Sequence, residues 1–167
     1  NGLLKVSEGE GDAWPTQAAQ LPDAALGSKA LALGHLNANA DVDGAIRSEP
    51  LVLRYYDQYF PSLSLQIAAR SLNLQTEDMQ VRLGQEVRLG KLRIPTDPLT
   101  QMNTFFYKDH DGKPAFQVDS FYDVISGKLP ASKYQDKIVL IGATAAWVGT
   151  PQVTPVSLLI WSHMACS

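Results

Sequence analysis

The 167-residue chain is 45% hydrophobic and 19% charged, which suits one domain with a buried core and excludes a disordered segment. Its 14 basic and 17 acidic residues leave a net charge of −3, a balance that argues against a nucleic-acid binder. One cysteine, Cys166, excludes an internal disulfide framework and a cysteine-rich zinc site.

In chain order, Glu8 to Asp12 is polar and glycine-rich and reads as a loop, and Pro22 limits Ala18 to Leu26 to a short helix. Ala30 to Ala40 reads as a strand running into Asp41-Val42-Asp43-Gly44, where Asp-Gly signals a type I′ hairpin turn. Ile46 to Tyr56 is the return strand, with Pro50 marking an edge or a bulge. Pro61 suits the first turn of a helix, and Leu65, Ala68, Ala69 and Leu72 share one face, so a helix is expected over Ser62 to Leu72.

Val81 to Ile94 alternates weakly around Gly84 and Gly90, giving two short strands closed by Pro95 and Pro98. Met102 to Tyr107 is a further strand candidate, followed by a turn at Asp111-Gly112. Ser120 as N-cap and Gly127 as C′ bound a short helix, Phe121 to Ser126. Lys137 to Ala143 carries the run Ile138-Val139-Leu140-Ile141, expected as a strand buried on both faces. The longest apolar run, Ile138 to Val148, contains Gly142 and Thr144 and is far short of the roughly 20 residues needed to cross a bilayer.

The resulting expectation is an α/β fold, with α+β as the alternative: a mixed β-sheet with helices packed on it. Lys137 to Ala143 would be its core strand and Ser62 to Leu72 its principal helix. The first residue is Asn1, so the chain is expected to be part of a longer protein with any membrane anchor outside it. Ser162-His163-Met164 has the look of a cloning scar, and His163 is given no functional weight.

The order of several stretches resembles the CHASE-two family, the second type of CHASE sensor domain in bacterial receptors. They are Gly34-His35-Leu36-Asn37, Asp41-Val42-Asp43-Gly44-Ala45-Ile46-Arg47 and Phe60-Pro61-Ser62-Leu63-Ser64-Leu65. Ser120-Phe121-Tyr122-Asp123-Val124-Ile125-Ser126-Gly127 follows, then Asp136-Lys137-Ile138-Val139-Leu140-Ile141-Gly142-Ala143-Thr144-Ala145, then Thr154-Pro155-Val156. The resemblance covers residues 30–157, expected as the sensor core. Residues 1–29 are expected as a linker or incomplete start, and 158–167 as a membrane-proximal or partly vector-derived tail.

Two departures stand out: the family's N-terminal β/α portion has no counterpart here, so a partial copy of the domain is expected, and Trp147-Val148-Gly149-Thr150 replaces a usual glycine and aspartate. What the resemblance implies is a periplasmic or extracellular domain tethered by flanking transmembrane helices. It would pass a signal to a cytoplasmic histidine kinase, Ser/Thr kinase, diguanylate cyclase or nucleotide cyclase. Its partner would be a small ligand or a periplasmic protein, a homodimer is compatible with it, and no nucleic acid is involved.

Site candidates follow from the residues. Asp41 and Asp43 fit a self-bonded Asx turn or a cation site, but the further ligands of a calcium loop are missing. Arg47 could clamp an anionic ligand or pair with Asp43 or Glu49, and Arg54, Tyr55 and Tyr56 could line a pocket or sit exposed on an edge strand. Trp147, Gly149 and Pro151 offer an anchor, a flexible point and a rigid point in a loop from Ala145 to Thr154 suited to signal transmission. His35 and His110 lack converging partners, and Gly142-Ala143-Thr144-Ala145 lacks the lysine of a phosphate-binding loop.

No catalytic residue, metal or cofactor is therefore expected, and the domain itself is expected not to be an enzyme. Two alternatives stay open: a periplasmic protein-binding module, favoured by an apolar patch, and a fragment of an α/β hydrolase, favoured by a Ser/His/Asp or metal cluster.

Overall fold

A computed structural model of the chain describes residues 4–161 apart from 18, 109, 112, 143–150 and 156. The chain divides into two compact units, Asn1–Thr104 and Phe105–Ser167. The first holds β1 (Lys5–Ser7), β2 (Trp14–Thr16), α1 (Ala24–Gly27), β3 (Ser48–Pro50), β4 (Val52–Tyr55), β5 (Gln58–Pro61) and α2 (Leu63–Ser71). It continues through β6 (Met79–Arg82), β7 (Glu86–Leu89), β8 (Leu92–Pro95) and β9 (Gln101–Asn103). The second holds α3 (Phe121–Ile125), β10 (Pro151–Thr154) and β11 (Ser157–Trp161). Mixed sheets with a few helices bear out the expected fold class.

The largest sheet has the order β1-β6-β7-β8, with β1 parallel to β6 and the other pairs antiparallel. A second sheet, β2-β4-β5, joins β2 parallel to β4 and β4 antiparallel to β5. The segment expected as one return strand divides at Leu51. β3 pairs with β9, while β4 belongs to the second sheet, so Pro50 does end a ladder.

Period-2 alternation explains the large sheet's two faces. Met79, Val81, Val87 and Leu89 are buried, whereas Gln80, Arg82 and Arg88 are exposed. The buried set joins Ala13, Leu51, Val52 and Leu83, together with Leu65 and Ala69 of α2, in one apolar cluster. α2 is one turn-spaced apolar stripe capped by Ser62, whose Oγ accepts from the Leu65 amide at 3.2 Å. Pro61 is the last residue of β5, just before that cap, rather than in the helix's first turn.

Several expectations need correction. Ala30 to Ala40 forms no strand. Only His35 touches the fold as a β-partner, in a parallel bridge to Ser62, because the Asp41–Ala45 turn folds onto itself instead of leading into a ladder. That turn is not type I′. Gly44 alone has positive φ, at 81°, and its N–H donates to the Asp41 carbonyl at 2.8 Å while the Asp41 N–H donates to Ala45 at 2.9 Å. A type I turn followed by a left-handed glycine fits this pattern. Val81 to Ile94 holds parts of three strands rather than two.

The largest correction concerns Lys137 to Ala143. Residues 137–142 form no strand, and Ile138, Val139, Leu140 and Ile141 are 64%, 49%, 52% and 66% exposed. The run has strand propensity, yet it has no strand partner among the described residues, and propensity without a ladder does not make a sheet. The core lies with β6, β7 and α2 instead. Residue 143 lies outside the described residues.

Residues 5–16 supply two strands and the fully buried Ala13, within the stretch expected as linker or incomplete start. In the second unit α3 follows its Ser120 N-cap and ends before Gly127, whose φ is 75°. Lys133 and Tyr134 both donate to the Asp119 carboxylate, at 2.7 and 2.9 Å. β10 and β11 form an antiparallel hairpin within the stretch expected as loop and tail.

Candidate functional site

The Asp41–Arg47 turn places three charged groups in one exposed network. Arg47 donates to Asp41 at 2.6 Å and to both carboxylate oxygens of Asp43 at 2.9 and 2.7 Å, while Asp43 also accepts from the Ala45 amide. Arg47 thus takes Asp43, as foreseen, and Asp41 rather than Glu49, which accepts from Ser64. The Arg47 guanidinium and the Ala45 amide hold the Asp43 carboxyl well below the ordinary carboxylate range.

Arg54, Tyr55 and Tyr56 come together at the end of the β4–β5 hairpin. Arg54 pairs with Asp12 at 3.2 Å. Tyr55 meets Tyr56 edge-to-face at 4.7 Å and Phe60 at 6.4 Å. Tyr56 sits in the turn at φ 51° and is 71% exposed. Trp147 and Gly149 lie outside the described residues, and Pro151 opens β10. Among the described residues, no group of three or more His, Cys, Asp or Glu side chains is placed to hold a metal ion.

A second polar assembly lies on the open face of the β1-β6-β7-β8 sheet, where sequence reading assigned nothing. The register sets Lys5 opposite Gln80, Gln80 opposite Arg88, and Arg88 opposite Arg93, a row across all four strands. The adjacent row is Ser7, Arg82, Glu86 and Pro95. Glu86 accepts from Arg88 and from Arg93 at 2.6 and 2.7 Å, and these bonds, Arg93 first, hold its carboxyl below the ordinary range. A shallow concavity of about 400 Å³ opens here, lined by Lys5, Ser7, Gln80, Arg82, Glu86 and Arg88 with the edges of Val6 and Val81. The signal was present in the alternation Gln80-x-Arg82, Glu86-x-Arg88 and Arg93-x-Pro95, but only the register shows that these pairs share a face.

No helix among the described residues is long and apolar enough to cross a membrane. Comparison with curated proteins and with solved structures returned no match to this chain. The family model of the CHASE2 domain matches residues 6–166, nearly the whole chain and wider than the stretches that carry the resemblance. The chain belongs to the CHASE2 domain family, whose members are extracellular, non-catalytic sensory domains of signalling receptors.

Proposed function

We propose that the chain is the extracytoplasmic sensing part of a bacterial transmembrane signal-transduction protein, tethered by flanking membrane helices. It passes an external signal to a cytoplasmic kinase or nucleotide cyclase. The CHASE2 match over residues 6–166 is the observation that carries this reading. A sensor biases its output by binding one of two conformations more tightly, so this chain must present a recognition surface and a route to the membrane. The polar concavity on the large sheet and the Arg54–Tyr55–Tyr56 cluster are the candidate recognition surfaces.

The route to the membrane is the segment from Ala145 to Thr154, with Trp147, Gly149 and Pro151 as its anchor, flexible point and rigid point. The test is the full-length receptor carrying a reporter of its cytoplasmic output. Trp147→Ala, or a cross-link locking the segment, changes basal or stimulated output in a folded, inserted receptor. Unchanged output in both removes the segment as the transmission element, and a receptor with no stimulus-dependent output removes the sensing role.

A second reading, recognition of a periplasmic protein, is favoured by the second unit's exposed apolar side chains. Phe105, Tyr107 and Phe116 stack edge-to-face at 5.1 and 5.3 Å while 79%, 61% and 68% exposed. Monomeric surfaces rarely leave such side chains clustered without use. If this reading holds, Phe105→Ser abolishes capture of a periplasmic partner by the receptor and leaves small-ligand responses intact.

A further inference from the structure

We propose that the open face of the β1-β6-β7-β8 sheet is an anion-binding site whose ligand is a small soluble molecule carrying adjacent phosphoryl or carboxylate groups. This deepens the sensing role above, on which it rests, by giving the stimulus a chemistry.

The first support is charge. Four strands bring Lys5, Arg82, Arg88 and Arg93 to one face against a single carboxylate, Glu86, in a chain whose net charge is −3. Glu86 is already occupied by Arg88 and Arg93. Among the described residues Lys5 and Arg82 have no carboxylate partner, and both side chains are exposed.

The second is cost. Arg88 and Arg93 stand directly opposite each other on neighbouring strands, about 5 Å apart at Cβ, an arrangement that destabilises a sheet. Glu86 relieves part of it by bridging both guanidiniums, and a bound anion would relieve the rest. Local features that work against the fold are where functional sites are to be looked for.

The third is shape and donor type. The concavity of about 400 Å³ is shallow and open, and its volume is at the small end of the range for small-molecule sites. Arg82 presents a planar fork that matches two oxygens of one phosphoryl or carboxylate group, and Lys5 adds a point charge. The Gln80 amide lies between Lys5 and Arg88 in the cross-strand row and adds a neutral donor. A ligand with two neighbouring anionic groups would engage the Lys5 and Arg82 sides together, whereas a single monovalent ion would not.

The experiment titrates the chain with pyrophosphate and, separately, with citrate, read by calorimetry. Saturable one-to-one binding to at least one of them is expected. Lys5→Gln and Arg82→Gln each weaken it on the order of tenfold, the double variant removes it, and Lys29→Gln, an equal charge change on an exposed residue elsewhere, leaves it unchanged. Melting temperatures of all variants stay at the wild-type value, which separates lost binding from lost folding. The proposal is overturned if wild type shows no saturable binding, if the double variant binds as wild type does, or if phosphatidylglycerol vesicles bind while both soluble anions do not. Receptor output tests the sensing role separately. Anion binding by a receptor whose output responds to no stimulus leaves this site standing and sinks that role, whereas a stimulus response with no anion binding does the reverse.

Discussion

His35 places its imidazole Nδ1 as acceptor for the Asn37 amide at 3.3 Å, while Nε2 is buried without a partner among the described residues. Burial lowers its pKa to about 4 from an ordinary 6.5, so the folded chain holds the ring neutral where the unfolded chain would protonate it. Between those two values the unfolded state binds more protons, and stability must fall as pH falls. The loss reaches at most about 3 kcal/mol by pH 4. The depressed carboxyls of Asp43, Glu86 and Asp119 act lower, since their stabilisation is lost only as pH drops below the ordinary carboxylate range. Melting curves across this window should therefore show a descending leg in wild type that His35→Gln flattens. The same leg in both proteins would contradict the assignment. At Gly44 the positive φ and the open space around it isolate a backbone effect. Gly44→Val forces a β-branched residue into the left-handed region, at a cost of about 1–2 kcal/mol. Asp43→Asn keeps an acceptor for the Ala45 amide and gives up only exposed ion pairing. Gly44→Val is expected to lower the melting temperature more, and equal values for Gly44→Val and wild type would rule out the turn.

Among the elements, Thr100 ties three segments together. It is fully buried at φ 57°, its Oγ1 accepts from the Gly84 amide at 2.9 Å and donates to the Asp12 carbonyl at 2.8 Å, and its carbonyl accepts from the Leu51 amide. Thr100→Val is nearly isosteric but leaves the Gly84 N–H and the Asp12 carbonyl without that hydroxyl. A destabilisation of about 2–3 kcal/mol follows, measured by denaturant titration, while Thr100→Ser should retain most of the stability. A Val variant as stable as wild type would show that the hydroxyl contributes nothing. Ser62→Ala removes the α2 cap and should cost about 1 kcal/mol in the same assay. α2 was legible because its signals are local: Ser62, then Leu65, Ala68 and Ala69 at helical spacing. β1 and β2 were not, because three-residue strands carry no period and their parallel partners, such as Gln80 for Lys5, lie far along the chain. Ile138 to Ile141 shows the opposite failure, a strong local strand signal with no ladder to join among the described residues. The turn arginine Arg47 was readable with Asp43 from spacing alone, but the cationic sheet face required the register of four strands. The family resemblance survived these misplaced elements because it rested on the order of short stretches, not on their secondary structure.

At the scale of the whole molecule, the two units should differ sharply in how they protect their backbone. The unit Asn1–Thr104 contains the buried apolar cluster, including Leu65, Met79, Val81, Val87 and Leu89. In β6 and β7 these side chains alternate beneath a continuous antiparallel ladder, so opening one amide there exposes core surface and requires loss of much of the unit. In the unit Phe105–Ser167, residues 138–142 lie outside any helix or strand, and no backbone hydrogen bond from them is found among the described residues. Exchange at these positions therefore needs no unfolding. Hydrogen–deuterium exchange should show the amides of Val81 and Val87 exchanging only through global opening, slowed by several orders of magnitude relative to the free peptide. Those of Ile138 to Ile141 should exchange within about tenfold of it. A destabilising core substitution separates the two mechanisms. Val87→Ala, expected to cost about 1–3 kcal/mol from the methyl groups lost and the cavity left, should accelerate exchange in β6 and β7 by the matching factor. It should leave 138–141 unchanged, because those amides are already open to water. Slow exchange of 138–141 in the chain alone would mean that these residues are paired in solution and would reinstate the buried strand expected from their sequence. Protection that arises only when a partner protein is added would instead favour the second functional reading, with the apolar run as part of the surface that the partner covers.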